Sequence, residues 1–226
     1  MSPPGRPKGE YRSAQREGNP SSPPGRPKGE YRSAQREGNP MSPLAVRRAT
    51  AGDAPAIARV RIDSWRTTYR GLIPDAYLDA MQVEASTALW DRVLSAGPNT
   101  TCVFVAERDA DIVGFSCGAP LQPAKHGFDS ELAAVYLHRD FQRAGLGRKL
   151  VGAVVAARHA QGATALLTWV IAGNRGARAF YEGLGGELIV EQPFQWDGMD
   201  LVEAGYGWRD LNVLAAACGA LESTAR

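Results

Sequence analysis

A glycine-containing hexapeptide between a predicted strand and a predicted helix most constrains the fold of this chain. An apolar run of strand length covers residues 131–138, and the hexapeptide occupies residues 142–147. Apolar residues recur at helical spacing from Leu146 onward, which places Gly145 and Gly147 at a helix N-terminus. Unpaired backbone N–H groups and the helix dipole attract anions there, and glycine lets the backbone approach a phosphate closely. The hexapeptide therefore predicts a phosphate cradle, although these six residues alone would equally suit an ordinary turn.

The residues that follow exclude two other phosphate-binding loops. A P-loop needs a serine or threonine after its lysine, whereas Leu150 follows Lys149 here. A dinucleotide-binding loop needs a third glycine at the position of Leu150. The cationic side chains of Arg143, Arg148 and Lys149 add positive charge beside the cradle. The loop is thus suited to a phosphate by a route other than these two motifs.

A second predicted strand and helix follow the cradle. Residues 165–170 form a buried-strand candidate, Asn174 is a favourable helix N-cap, and glycines at 185–186 are a typical helix end. Helical spacing puts Asn174, Ala177 and Tyr181 on one face of this helix. Two further side chains are expected to face the core: Phe180 and Leu184. Taken alone, Tyr181 would more simply be a core aromatic as well.

Together the two motifs resemble the GNAT superfamily of acetyl-CoA-dependent N-acetyltransferases. The family's acetyl-CoA motif, [Q/R]-x-x-G-x-[G/A], is matched by Gln142, Gly145 and Gly147. Its next motif, an Asn-led helix ending in Phe-Tyr-Glu-x-x-Gly, is matched by Asn174, Phe180, Tyr181, Glu182 and Gly185. The stretch 135–138 is similar to the family's L-Y-V-x strand, and Arg139 stands where many members carry proline. That departure lies in a turn, so we expect no loss of activity. The resemblance spans residues 44–211.

The resemblance implies how acetyl-CoA would be held. The strands before the two helices splay apart in that fold, and pantetheine pairs with the first of them like an added strand. The residues expected to bind the cofactor are Val135, Tyr136, Leu137, Gln142, Arg143, Ala144, Gly145, Leu146, Gly147, Arg148, Lys149, Asn174, Ala177, Phe180 and Tyr181. A backbone N–H near Leu137 would polarise the thioester carbonyl.

The resemblance also implies the catalytic groups. Transfer to an amine requires loss of an ammonium proton, stabilisation of a tetrahedral oxyanion and protonation of the departing thiolate. Tyr181 would supply that last proton. Glu131, an acid at the start of an otherwise apolar strand, is the candidate general base, with a solvated strand end as the equally weighted alternative. Asp129 is the next candidate for the base.

The acceptor pocket is expected between the first two helices, a loop at residues 121–130 and the last hairpin. The aromatic candidates for its walls are Trp65, Tyr69, Phe128 and Phe194. The acidic candidates to attract a cation are Asp75, Asp79 and Asp129. Trp65 and Tyr69 would equally suit the core, because they belong to an apolar stripe on the first helix.

Three functions follow from this pattern. The first is an N-acetyltransferase acting on a primary amine of a small molecule. The second is a protein or peptide N-acetyltransferase, which would need an open groove in place of a closed pocket. The third is a non-catalytic acyl-CoA-binding domain, against which the presence of both Tyr181 and Glu131 argues.

The order of predicted elements indicates the fold class. A strand, helices, three strands, a helix, a strand, a helix and two strands alternate along residues 44–208. This order predicts an α/β (α+β) domain with a mixed sheet of about six to seven strands and helices on both faces, as in the GNAT fold. We delimit the acetyltransferase domain at residues 43–212 and a C-terminal extension at residues 213–226.

The first 42 residues differ in composition from the rest of the 226-residue chain. Residues 2–20 recur unchanged as residues 22–40, and neither copy contains Leu, Ile, Val, Phe, Trp or Met. A segment so poor in apolar side chains cannot offset the entropy of ordering, so we expect a disordered, duplicated leader. The two copies together carry a net charge of +4. Because the net charge of the whole chain is +2, residues 41–226 carry −2.

Composition limits the environment and the partners. The three cysteines are odd in number and lack C-x-x-C spacing, and the N-terminal region has no apolar signal segment. We therefore expect a cytoplasmic protein with no membrane partner. The isolated His126, His138 and His159 predict no metal site, and nothing resembles a nucleic-acid-binding module. The expected partners are acetyl-CoA and an amine acceptor, with a homodimer left open.

Overall fold

A computed structural model describes residues 44–97 and 100–220. The predicted leader at residues 1–42 lies outside this described part. A seven-stranded mixed sheet forms the centre, with its strands in the order β1-β2-β3-β4-β5-β7-β6. All neighbouring strands are antiparallel except β4 and β5. The strand bounds are β1 Ala45–Arg48, β2 Cys102–Arg108, β3 Asp111–Lys125, β4 Phe128–Leu137, β5 Leu166–Ile171, β6 Glu187–Trp196 and β7 Met199–Trp208.

Six α-helices among the described residues cover the two faces of the sheet, as the order of predicted elements indicated. Their bounds are α1 Ala54–Thr68, α2 Asp75–Ala80, α3 Val83–Ser95, α4 Leu146–Ala160, α5 Arg175–Glu182 and α6 Leu211–Ala217. One apolar cluster joins α1 and α3 to one face of the sheet, and another joins α4, α5 and α6 to the opposite face. None of the helices in the described ranges is long and apolar enough to span a bilayer.

Polar residues just before α1 hold the start of the helix in place. The Thr50 N–H donates to the Asp53 carboxylate at 2.7 Å, and Arg47 donates to the same carboxylate at 2.8 Å. The hydrogen bond from Arg47, partly opposed by burial, lowers the pKa of Asp53 to about 2. The predicted apolar stripe of α1 is buried throughout: Ala58, Ile62, Trp65 and Tyr69.

A gap between β4 and β5 is the feature that positions the site. Their parallel pairing runs from Ser130↔Leu166 to Leu132↔Thr168, and β4 then continues to Leu137 without a further paired residue on β5 in the described chain. A register shift between Cys117 and Gly118 of β3 leaves one extra residue in β4 at this point. Such a bulge bends a strand away from its neighbour. The splayed strands expected from the sequence are therefore present.

The structure corrects the predicted loop at residues 121–130. This segment is a β-hairpin, because β3 extends to Lys125 and β4 begins at Phe128. The two turn residues have left-handed backbone angles, with φ of 53° at His126 and 83° at Gly127, as tight hairpin turns require. Pro120 and Pro123 interrupt the strand pattern, and the ladder is irregular between Pro120 and Lys125, which explains the mistaken prediction.

The C-terminal end also differs from the domain limits drawn on the sequence. Helix α6 crosses the boundary at residues 212–213, and Leu211, Leu214 and Ala215 pack in the same apolar cluster as α4. The described part of the extension is therefore structurally part of the domain. An apolar spacing over so few residues was too short to predict a helix.

Candidate active site

The cradle loop has the backbone shape that its glycines suggested. Gly145 is the N-cap of α4 with φ of 77°, and Arg143 also lies in the left-handed region with φ of 63°. Residues 142–145 are exposed, and the Gln142 side-chain amide donates to the Leu137 carbonyl at 3.3 Å. That bond ties the start of the loop to the end of β4. The first-turn N–H groups of α4 consequently face an exposed, positively charged loop, which is the geometry of an anion site.

The two cradle glycines have different structural roles. A Cβ built on Gly145 would meet no atom within 4 Å. Glycine is therefore favoured there by its left-handed backbone angle and not by steric contact with the rest of the protein. A Cβ on Gly147 would lie 3.4 Å from Leu137 Cδ1 and 3.4 Å from Phe180 Cζ. Gly147 therefore lets α4 approach both the end of β4 and helix α5. The cradle and the second motif meet at this contact.

Helix α5 begins where the sequence indicated, but its two aromatic side chains differ in burial from the prediction. The Asn174 side chain accepts a hydrogen bond from the Ala177 N–H at 3.1 Å, which is an N-cap contact. Phe180, expected in the core, is half-buried beside Gly147. Tyr181 is 7% exposed and packs in the same cluster as Leu184. The amphipathic pattern was sufficient to predict the helix. Which aromatic ring is buried more deeply depends on packing against the neighbouring α4.

Tyr181 nevertheless reaches the gap with its hydroxyl group. Thr168, the last residue of β5 that pairs with β4, lies close enough to this hydroxyl to influence its pKa. Thr168 in turn donates to the Leu132 carbonyl at 2.8 Å, across the point where the strands separate. Burial, partly offset by the Thr168 contact, raises the pKa of Tyr181 to about 12. Tyr181 therefore holds a proton at the apex of the gap over the physiological pH range.

Two further tyrosines meet Tyr181 from the α1 side of the sheet. Tyr69 and Tyr136 lie close enough to Tyr181 for the three tyrosines to interact electrostatically, and Asn174 lies near the Tyr69 hydroxyl. Burial raises the pKa of Tyr69 well above its usual value and also raises that of Tyr136. Tyr69, which was predicted to line the acceptor pocket, packs in one apolar cluster with Trp65 and Trp196.

A small, partly open cavity lies on the α1 face of the sheet, beside the gap. Three predicted site residues line it: Trp65, Glu131 and Phe194. The other lining residues were not predicted, and they are Ile73, Ala133, Trp169, Val170, Ile171, Trp196, Leu201 and Glu203. Most of the wall is aromatic or aliphatic, as in small-molecule pockets, and the two glutamates are its acidic groups. The period-2 alternation of β5 could have indicated that Trp169 and Ile171 share a face.

Both carboxylates in the wall belong to buried residues. Glu131 is 6% exposed on β4, one residue before the last pair of the β4–β5 ladder. Glu203 is 4% exposed on β7 and accepts a hydrogen bond from the Gln192 side chain at 2.8 Å. These two residues supply the acidic groups of the cavity wall.

A contact between α2 and the last hairpin involves Trp196, one of the residues that line the cavity. The Trp196 indole N–H donates to the Tyr77 hydroxyl at 3.0 Å. The hairpin turn that carries Trp196 is tight, with φ of 47° at Asp197 and 77° at Gly198. On the other side, Arg66 donates to the Leu78 carbonyl at 3.1 Å and holds α2 against α1. The hairpin that contributes Trp196 to the cavity wall is thus hydrogen-bonded to α2, which packs against α1.

The remaining predicted acceptor residues lie away from the cavity wall. Phe128 is fully buried between Ala165 and Leu167. Asp129 accepts hydrogen bonds from Thr164 at 2.7 and 2.9 Å, so its carboxylate fixes the start of β5. The hairpin that replaced the predicted loop accounts for both placements. The exposed carboxylates of α2 form ion pairs with Arg70: Asp75 and Asp79.

Comparison with known proteins gives consistent results. The model of the "Acetyltransferase (GNAT) family" matches residues 61–185. The uncharacterized N-acetyltransferase YuaI of Bacillus subtilis is 36% identical over 174 residues, covering 76% of this chain and 96% of YuaI. The crystal structure of PaiA N-acetyltransferase from Thermoplasma acidophilum with coenzyme A has a TM-score of 0.59 at 19% identity, covering 72% and 98%. A ribosomal-protein-alanine N-acetyltransferase from Brucella melitensis has a TM-score of 0.56 at 24% identity, covering 73% and 99%.

Proposed function

This chain belongs to the GNAT family of acetyltransferases, and we propose that it transfers the acetyl group of acetyl-CoA to a primary amine of a small molecule. The observation that carries the choice of acceptor is the hydrogen bond between Tyr77 and Trp196. It joins α2 to the last hairpin over an aromatic cavity with acidic groups in its wall. A compact amine fits such a cavity, whereas binding of an extended peptide would require the Tyr77–Trp196 hydrogen bond to break.

We assign acetyl-CoA binding to the cradle and the gap. The first-turn N–H groups of α4 and the cationic side chains of Arg143, Arg148 and Lys149 suit a pyrophosphate. The backbone of β4 from Val135 to Leu137 faces the gap, where pantetheine can add as a strand. Asn174, Ala177 and Phe180 border the same path on α5. The thioester then reaches the apex, beside the hydroxyl of Tyr181.

The proposed reaction uses one group from each side of the sheet. Glu131 accepts the ammonium proton through a water molecule, which leaves a neutral amine to attack the thioester carbonyl. A backbone N–H near Leu137 stabilises the oxyanion of the tetrahedral intermediate. As that intermediate breaks down, the C–S bond cleaves and Tyr181 donates its proton to the departing thiolate. The second proton of the attacking nitrogen leaves through water, which gives the neutral amide and restores the Tyr181 hydroxyl. Acetylated amine and coenzyme A are the products.

The runner-up function is acetylation of a protein or peptide N-terminus. The Brucella melitensis structure of similar fold is a ribosomal-protein-alanine N-acetyltransferase, which makes this alternative concrete. That likeness concerns the fold, and the bridged cavity favours a small acceptor. We also place the reaction in the cytoplasm, since Cys102, Cys117 and Cys218 are free, buried thiols.

An acceptor panel tests the choice between these functions. We expect coenzyme A release with small primary amines and none above background with N-terminal peptides. Tyr77→Phe removes the hydroxyl that accepts from Trp196 and keeps the ring, so it should raise KM for the best amine by roughly 3- to 10-fold, the effect of one neutral hydrogen bond. Turnover of peptides exceeding that of every small amine would reverse the assignment.

The role of Glu131 predicts a change in pH dependence. The carboxylate works as a base only when ionised, so kcat/KM should fall as the pH drops and Glu131 takes up a proton. Glu131→Gln keeps the shape of the side chain and should flatten that acidic limb. Asp129→Asn serves as a control, because Asp129 caps β5 away from the cavity. An unchanged acidic limb in Glu131→Gln would assign the base to another group.

A further inference from the structure

We propose that the acceptor amine also carries a carboxylate group, and that Arg61, Trp65 and Tyr136 bind this carboxylate beside the gap. This inference rests on the proposed function, because it specifies the small amine that the cavity receives. Arg61, on α1, is 7% exposed, and its Nε atom has no hydrogen-bond partner among the described residues. It takes part in none of the ion pairs found in that part of the chain. The mechanism proposed above leaves this buried cation without a role.

A buried arginine is costly to a fold unless an anion accompanies it. A guanidinium group stays protonated at every physiological pH, so Arg61 cannot avoid the cost of burial by losing its proton. The ring of Trp65, with its centre 4.8 Å from the guanidinium carbon, compensates only part of that cost. A carboxylate would complete the compensation, because its two oxygens match the paired N–H groups of a guanidinium.

Other hydrogen-bond donors lie close to the Arg61 guanidinium. The indole N–H of Trp65 is buried and has no acceptor within the described ranges. The Tyr136 hydroxyl lies close enough to Arg61, Trp65 and Tyr69 for each of them to influence its pKa. Indole and guanidinium groups donate hydrogen bonds and cannot accept them, whereas a tyrosine hydroxyl can do both. This cluster therefore offers more donors than acceptors, which favours an anionic ligand over a cationic one.

The donor cluster lies where the acceptor and the thioester are proposed to meet. Trp65 lines the cavity, and the partly exposed Tyr136 packs against the apolar cluster that contains Trp65 and Trp196. Tyr136 is also close enough to Tyr181 to influence the pKa of that phenol at the apex of the gap. A carboxylate bound here would be near the attacking nitrogen. Amino acids meet this requirement, because few carbons separate their amine from their carboxylate, and apolar side chains suit the aromatic wall.

A matched series of acceptors tests this inference on the full-length chain. Amino acids with apolar side chains, and short unbranched ω-amino acids, are each compared with their own carboxamide, which keeps the amine and removes the negative charge. We expect kcat/KM for the best amino acid to exceed that of its carboxamide by at least about 10-fold, the effect of one charge-assisted hydrogen bond. Equal values in every pair would overturn the inference and leave the proposed function intact. Acetylation of peptides with no turnover of any small amine would overturn both proposals.

Arg61→Gln supplies the second arm of the test. It should raise KM for the best amino acid by roughly 10- to 100-fold and bring the ratio of kcat/KM between acid and carboxamide close to 1. Arg59→Gln, at an exposed position on the same helix, is the matched control and should keep the ratio. An unchanged ratio in Arg61→Gln, or an equal loss with both acceptors, would overturn the assignment. If Arg61→Gln fails to fold, Tyr136→Phe decides, because loss of its hydroxyl should lower the ratio by roughly 3- to 10-fold.

Discussion

Gly145→Glu is expected to abolish acetyl-CoA binding and to leave the domain folded. The unmodified protein should bind acetyl-CoA with about micromolar affinity, equivalent to roughly −8 kcal/mol. A carboxylate placed about 5 Å from a pyrophosphate charge costs about 3 kcal/mol at an effective dielectric constant near 20, which alone weakens binding by more than about 100-fold. Gly145 is exposed and a Cβ there meets no neighbour, so the added side chain enters the space reserved for the ligand.

Two companion substitutions separate charge from backbone strain. Any non-glycine residue at a φ of 77° carries a conformational cost of about 1–2 kcal/mol, and Gly145→Ala measures that cost as a loss of melting temperature. Gly145→Gln adds the same bulk as glutamate without its charge. Isothermal titration should give an order of affinity Gly, Ala, Gln, Glu. Full affinity in the folded Gly145→Glu protein would place the pyrophosphate away from the cradle.

The parts of the fold that the sequence predicted are those that local patterns determine. The cradle turn, the Asn174 cap and the buried stripe of α1 each depend on residues within about two helical turns of one another. Their positions in the structure agree with those patterns. The family motif extended this local reading to the order of the strands, and the mixed seven-stranded sheet confirmed the predicted class.

The acceptor cavity depends on contacts that no local pattern contains. Trp196 and Tyr77 are 119 positions apart and meet only because β6 lies at the sheet edge and its hairpin reaches α2. Glu203 shares a cavity with Glu131 through the register of β5, which the sequence does not specify. Phe128 was misplaced for the same reason, since only the hairpin at residues 126–127 shows which face its side chain takes.

The burial of Tyr181 reconciles two predictions that seemed opposed. The sequence allowed either a core aromatic or a proton donor, and the structure places the ring in the core with its hydroxyl at the gap. Burial makes the neutral phenol the stable form, which a general acid requires before it reacts. Packing thus orients the hydroxyl and also maintains its proton.

Tyr181→Phe is therefore expected to lower kcat by roughly 100-fold and to leave acetyl-CoA affinity nearly unchanged, the usual effect of removing a positioned proton donor. The substitution keeps the ring that packs against Leu184. It should also preserve the fold, because Thr168 retains its 2.8 Å hydrogen bond to the Leu132 carbonyl. Single-turnover kinetics with the best acceptor measure the chemical step directly. Undiminished kcat under those conditions would indicate that solvent protonates the thiolate.

Tyr206→Phe is the matched control for this experiment. Tyr206 belongs to the same apolar cluster, with its ring centre 6.2 Å from that of Tyr181, but its hydroxyl contacts Glu182 and Arg178 outside the gap. Loss of that hydroxyl should reduce thermal stability and spare kcat. The pH profile adds a second check, because a pKa of about 12 keeps Tyr181 protonated. The unmodified enzyme should consequently show no alkaline loss of kcat from this group up to about pH 10, and a loss that disappears in Tyr181→Phe would contradict the burial of its hydroxyl.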